Sequence, residues 1–223
     1  MLIPYRVDVP MRRWPIANFV LIGLIVLSFA LTHTDNPGAF ASRMVLQDWS
    51  PAGLVGHLFL HAGILHIVGN LIFLWCFGNS ICAKIGNLAF PVVFLGLGVF
   101  AGAIHLLFSR HPAVGASGAI NGIVGMYFIL YPKNDIRCLY FIGRGGTFAM
   151  AGFWLLVFWF ACDIWGAVSG SGGTAYWAHI GGFVGGMGLA TILLKTNLIR
   201  MSQDEESFFH WFNIPIGSME EED

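Results

Sequence analysis

The sequence predicts an all-α membrane protein of six transmembrane helices, and three observations carry that prediction. Of the 223 residues, 57% are hydrophobic and only 10% charged, with a mean hydropathy of +0.73, which excludes an ordinary soluble domain. The apolar residues come in long runs rather than in period-2 alternation, so the spans are helices and not strands of a barrel. The basic residues are sorted by loop. With both termini on one side, Arg6, Arg12, Arg13, Lys84, Lys133, Arg137, Arg144, Lys195 and Arg200 share that side, and only Arg43 and Arg110 fall on the other. The positive-inside rule then places both termini in the cytoplasm. A net charge of -1 points to no nucleic-acid partner. Cys76, Cys82, Cys138 and Cys162 lack Cys-x-x-Cys spacing and are read as packing residues rather than a zinc site or a disulfide framework.

Residues 1–15 are polar, basic and broken by proline, and form a cytoplasmic N-terminal segment. The first span is 16–31. A basic start before an apolar run also describes a secretion signal, with Ser28-Phe-Ala30 as a passable cleavage site, but removal would leave an odd number of spans, so the helix is expected to stay. A polar loop, 32–52, precedes a second apolar run that reaches 77, and a short connection, 78–87, leads to the third span at 88–108. The fourth, 114–131, is closed by Pro112 and Pro132; about 17 residues make roughly 25 Å of helix. That is short of the ~30 Å hydrocarbon core, so its first residues are expected below the membrane surface. A loop at 132–146, a fifth span at 147–168, a Gly/Ser loop at 169–174 and a sixth span at 176–194 follow. Residues 196–223 form a cytoplasmic tail with an acidic end, and its aromatic cluster from Phe208 to Phe212 suits a membrane surface.

Spans two, four and six run in the same direction, so their N-terminal ends share a depth, and the polar residues collect there. Span two carries His57, His61, His66 and Asn70; span four opens with Ser117; span six opens with His179. Polar side chains inside a membrane face a partner or a wet cavity, so several at one depth imply an internal site. His66 and Asn70 are four apart and share a helix face. Ser117 lies among Gly115, Gly118, Gly122 and Gly125, which alone would be read as a small-residue packing face. His179 precedes Gly181, Gly182, Gly185 and Gly186, a second such face. Two faces of this kind pack closer than the usual ~8–10 Å between axes. Ser117 Oγ and a ring nitrogen of His179 could then approach within the ~2.6–3.2 Å of a nucleophile and its base. His66 and Asn70 would supply donors to a developing oxyanion. Standing alone, His179 would be read as a hydrogen-bonded packing histidine. His57-x-x-x-His61 lacks the glutamate of a zinc-protease helix and has no carboxylate or cysteine beside it, so His61 is placed in a second layer and no metal is expected. Asp163, about 24 Å along a span that starts at 147, is read as an interfacial loop anchor.

The three motifs, His57-x-x-x-His61 with His66-x-x-x-Asn70, Gly115-Ala-Ser117-Gly118, and Ala178-His179-x-x-Gly182-x-x-x-Gly186, resemble those of the rhomboid family of intramembrane serine proteases in order and in helix placement. The resemblance implies a six-transmembrane-helix rhomboid-like bundle with its protease domain at 16–195. It implies a Ser117/His179 dyad and an oxyanion hole of His66, Asn70 and the Ser117 backbone N–H. It further implies single-pass transmembrane substrates cut near the outer ends of their helices, a lipid surround, no metal or organic cofactor, and a bacterial inner membrane as the location. Three departures stand out: Asn121 where the family often has an aromatic packed on the histidine, Cys82 where many members have glutamate, and a first loop without the Trp-Arg feature of many members. Asn121, one turn beyond Ser117, is expected to orient His179 by accepting its ring N–H, the alternative being a bond to a neighbouring backbone group. A different class of function, a non-proteolytic rhomboid-like protein that binds membrane clients, would be signalled by loss of Ser117 or His179, and both are present. Transport through the histidines would call for an inverted repeat or a pair of broken helices, and the sequence has neither.

Overall fold

Apolar runs become helices close to where they are expected, while the segments between them hold more structure than their composition suggests. The computed structural model describes residues 2–33, 38–141, 143–170 and 173–216. In chain order the elements are β1 (Leu2–Val7), α1 (Ile16–Thr32), α2 (Gly38–Met44), α3 (Pro51–Gly56), α4 (Ile64–Phe73), α5 (Asn79–Ile85), α6 (Ala89–Phe108), α7 (Ser117–Leu130), β2 (Asp135–Tyr140), β3 (Gly146–Ala151), α8 (Gly152–Ser169), α9 (Tyr176–Lys195) and α10 (Phe208–Trp211). A π-helical turn, Leu74–Gly78, joins α4 to α5, and the joined run, Ile64–Ile85, is 22 residues long. With α6, α8 and α9 it makes four helices, among the described residues, that are long and apolar enough to cross a membrane. Helices α1 and α7 are as apolar but shorter, at 17 and 14 residues.

The π turn has a local cause. Asn18 of α1 is fully buried; its amide donates to Leu74 O at 3.0 Å and to Asn79 Oδ1 at 2.8 Å, so the irregular turn is held by a polar group that would otherwise be orphaned in the core. A Cβ at Gly78 would lie 2.7 Å from that amide, which is why the close approach needs glycine.

Four expectations are corrected. The segments at 1–15 and 132–146 supply β1 and β2, which with β3 form an antiparallel sheet in the order β1-β2-β3. Ile136 and Cys138 are buried while Asp135 and Arg137 are exposed, a period-2 pattern too short to stand out beside the helical runs. Because 147–151 is spent on β3, the fifth helix begins at Gly152 rather than at 147. The second apolar run is broken: α3 ends in a 3₁₀ turn at His57–Phe59, Leu60 is extended, and a new helix starts at Ile64, so His61 precedes the helix that carries His66. The stretch 78–87, expected as a connection, is helical through Ile85.

The described part of the tail packs on the bundle. Glu205, buried to 5% exposure, accepts from the Tyr131 hydroxyl (3.1 Å) and the Ser202 N–H (2.9 Å) and pairs with Lys84. Phe208 packs on Phe128 and Phe153, and Trp211 meets Phe153 edge-on at 5.2 Å, so the aromatic cluster covers the ends of α7 and α8. The acidic end at 217–223 and parts of the polar loop (34–37) and Gly/Ser loop (171–172) lie outside the described residues. Cys76, Cys82 and Cys138 are buried and free, whereas Cys162 is exposed on α8 and does not serve packing.

Candidate active site

Helix α7 is the centre of the bundle. All its residues are buried except Ser117 and Asn121, which keep partial exposure on one face. It packs against α9 through glycine: a Cβ on Gly182 would collide with Gly118 O, one on Gly186 with Gly122 O, and one on Gly125 with Phe183 O. Backbones therefore touch without side chains between them, as the two glycine faces predict. On the other flank of α9, Gly181 rests on Ile104 and Gly185 on Phe100 of α6. The contact carries the site, because Ser117 and His179 each adjoin a residue of it: a Cβ on Gly118 would lie 3.4 Å from the Ala178 Cβ.

Ser117 is the first residue of α7, where the N–H groups of the opening turn have no intrahelical acceptor. The chain reaches it through Gly115, whose φ of +119° favours glycine and whose N–H donates to His57 O at 2.8 Å. A Cβ at Gly115 would meet the His66 ring at 2.7 Å and Asn70 Nδ2 at 3.6 Å, so both side chains lie over the approach to the serine. Asn70 Nδ2 is buried and has no acceptor among the described residues. His66 Nδ1 accepts the Ala62 N–H at 3.4 Å, which leaves the proton on Nε2, the atom that also lies by Gly115. Donors from α4 and the free N–H groups of α7 thus converge on one space, the arrangement that holds negative charge.

His61 stands behind His66 with ring centroids 5.2 Å apart, edge-on, and neither of its nitrogens has a partner among the described residues. An extended segment, not a helix, positions it there. Further out, His57 Nδ1 donates to Gly53 O (2.9 Å) and His105 Nε2 to His111 O (2.8 Å). The first loop is tied over this end by the bridge Leu46↔Ala113, with N–H···O contacts of 3.0 and 2.9 Å.

His179 sits in the first turn of α9, and no hydrogen bond joins it to Ser117 Oγ among the described residues. Its Nδ1 instead donates to Asp163 Oδ1 of α8 at 3.0 Å. Asn121 donates its amide to Ser117 O in its own helix at 3.0 Å, the backbone bond that stands as the alternative to orienting His179. The carbonyl four residues back lies on the same face and needs the shorter reach, whereas His179 is on the neighbouring helix. The aromatic beside the histidine is Tyr176, at 6.3 Å and edge-on, seated on Gly166 of α8. The interfacial placing of Asp163 depends on a helix that starts at 147, five residues before its actual start at Gly152. From Gly152 it is only about 17 Å along the helix. The signal that could have found it is its face: the inward stripe of α8 runs Gly152, Leu155, Leu156, Trp159, Asp163, Gly166.

The Rhomboid domain profile matches residues 48–196, more than half of the sequence. The chain belongs to the rhomboid family. With its apolar helices it is an integral membrane protein. Among its relatives, the mitochondrial Rhomboid protein 1 of Saccharomyces cerevisiae is 27% identical over 183 residues, covering 76% of this chain and 51% of that protein. Rhomboid protease GluP of Bacillus subtilis is 29% identical over 190 residues, covering 80% of this chain and 35% of that protein. Rhomboid protease GlpG of Salmonella typhi is 26% identical over 196 residues, covering 85% and 67%. This rhomboid chain thus spans about half of the yeast protein and about a third of GluP.

Proposed function

We propose that this rhomboid domain is an intramembrane serine endopeptidase that cuts single-pass transmembrane proteins near the outer ends of their helices. The observation that carries the reading is the convergence at the start of α7: Ser117 at a free helix N-terminus, the unpartnered Asn70 amide and the His66 ring over Gly115, and His179 on the helix that touches α7 backbone to backbone. In the reaction Ser117 Oγ attacks the scissile carbonyl carbon and its proton passes to His179 Nε2. The oxyanion takes hydrogen bonds from Asn70, His66 and the Ser117 N–H. Collapse to the Ser117 ester expels the amine, which takes the proton from His179. Water then attacks the ester, giving its proton to His179, and the acid product leaves as Ser117 regains its hydrogen.

The joined α4–α5 helix and α1, α6, α7, α8 and α9 would make six spans, with both termini cytoplasmic in a bacterial inner membrane; the loop charges support that orientation. A substrate helix hides its carbonyls in internal hydrogen bonds, so the bond to be cut must first unwind. The test is cleavage of a single-pass reporter in liposomes, with the cut located by mass spectrometry. One cut near the outer end, lost with Ser117→Ala, is expected. An intact reporter with the unaltered protein, or equal cutting by Ser117→Ala, would overturn the reading.

A further inference from the structure

Asp163 is a carboxylate on a helix whose other faces are for lipid: Trp154, Val157, Phe158, Ile164, Trp165 and Val168 are all exposed apolar residues. A charge within such a segment is costly and is kept only where it has a task. Its side chain is 19% exposed, and the one hydrogen bond found for it joins Oδ1 to His179 Nδ1. Two further features hold this pair in place. Tyr176, one turn before His179, packs on Gly166, one turn after Asp163, where a Cβ would collide with the ring. Gly182, one turn after His179, fixes α9 against α7 at Gly118. The imidazole is thus clamped on the side away from the serine, with its Nε2 left to turn toward Ser117.

The geometry points to Asp163 as a positioning residue for the proposed proteolysis, holding His179 in the tautomer that is protonated on Nδ1 and free to accept on Nε2. The inference rests on the serine-protease reading above. It adds a third side chain, supplied by α8, that orients the histidine of the Ser/His pair. The carboxylate makes the Nδ1-protonated form the favoured one, because Nδ1–H has an acceptor there and a lone pair on Nδ1 would face negative charge. When His179 takes the Ser117 proton, the same carboxylate lies against the imidazolium and stabilises it. Asp163 keeps its own charge throughout and gains no proton. Among the described residues, Tyr176 on α9, His66 on α4 and His105 on α6 are the other titratable groups that face His179, and none of them offers a carboxylate to Nδ1.

The experiment is steady-state cleavage of the single-pass reporter by Asp163→Asn and Asp163→Glu, with thermal unfolding of each. Asp163→Asn keeps the shape but offers an amide that can also donate to Nδ1 and so favour the wrong tautomer. Its kcat is expected to fall by about 10- to 100-fold with KM within about twofold, the range typical for loss of a partner that orients a histidine. Asp163→Glu retains the charge and should recover part of kcat. A merely structural role would lower the unfolding temperature while leaving kcat per folded molecule unchanged. That result, or a kcat for Asp163→Asn within about twofold of the unaltered enzyme, overturns the inference. Should either variant fail to fold, the unaltered protein still decides. Nitrogen-15 NMR of histidine-labelled protein, with His179 assigned through His179→Gln, should find its proton on Nδ1, and a proton on Nε2 refutes the inference. Failure of the protease reading looks different, since the unaltered protein would then leave the reporter whole.

Discussion

The two ends of this bundle differ in how completely their buried polar groups are partnered. At the tail end Glu205, Lys84, Tyr131 and Ser202 form a closed set: the carboxylate takes the Lys84 ammonium, the Tyr131 hydroxyl and the Ser202 N–H. At the serine end Asn70 Nδ2, both nitrogens of His61 and His105 Nδ1 are buried without a partner among the described residues. Unpartnered buried polar groups are costly, and four of the six such atoms among the described residues gather at the serine end, the other two being Asn18 Oδ1 and Tyr127 Oη. On the proposed reading the open groups of the serine end receive a substrate, while the Glu205 set holds the fold.

The comparison breaks most visibly at the serine end. Ser117→Ala and His179→Ala should each lower kcat to background, a loss on the order of 10⁶-fold, and the double variant should lose no more because the two act as a unit. Reporter kinetics check this; additive losses would mean that the residues work separately. At the tail end, Glu205→Ala leaves Lys84 buried without its partner, and about 3–5 kcal/mol of stability should be lost. Thermal unfolding should register the drop while kcat per folded molecule holds. A fall in kcat without a fall in stability would erase the division between the ends.

Asn70→Ala makes the converse case, with a loss of about 10²–10³ in kcat, KM nearly constant and little change in unfolding temperature. A raised KM at constant kcat would make Asn70 a binding residue. The smallest effect belongs to acid. Burial alone would push the Glu205 carboxyl up, but the Lys84 ammonium, the Ser202 N–H and the Tyr131 hydroxyl outweigh it and hold the group below its ordinary value of 4.5. The stabilisation is complete above that ordinary value and is lost as pH falls through the lowered one. The difference in unfolding temperature between the unaltered protein and Glu205→Gln should therefore shrink below about pH 4.5. A constant difference would detach Glu205 from the acid response.

The sequence made the serine end more legible than the tail end, and the reason is physical. A run of apolar residues is enough to place a helix, so α1, α6 and α9 fall within about one residue of their expected bounds. His66 and Asn70 share a face through helical spacing alone, and glycine faces forecast the α7–α9 contact. Glu205 offers no such pattern: nothing in its neighbourhood says that it pairs with Lys84, more than a hundred residues away. The strands were missed because six-residue elements give too little alternation to compete with the apolar runs. That omission moved the start of α8, and with it Asp163 was judged by depth along a helix when its face was the informative property. Spacing alone leaves Asn121 two partners, His179 across the helix contact and a backbone acceptor in its own helix, and the amide takes the second.

The central claim is that Ser117 is an activated nucleophile, and it can be tested without any substrate. The purified protein should react with a fluorescent fluorophosphonate, and the label should vanish in Ser117→Ala and in His179→Ala while both variants remain folded. Labelling that persists in Ser117→Ala, or an unaltered protein that takes no label, would contradict it.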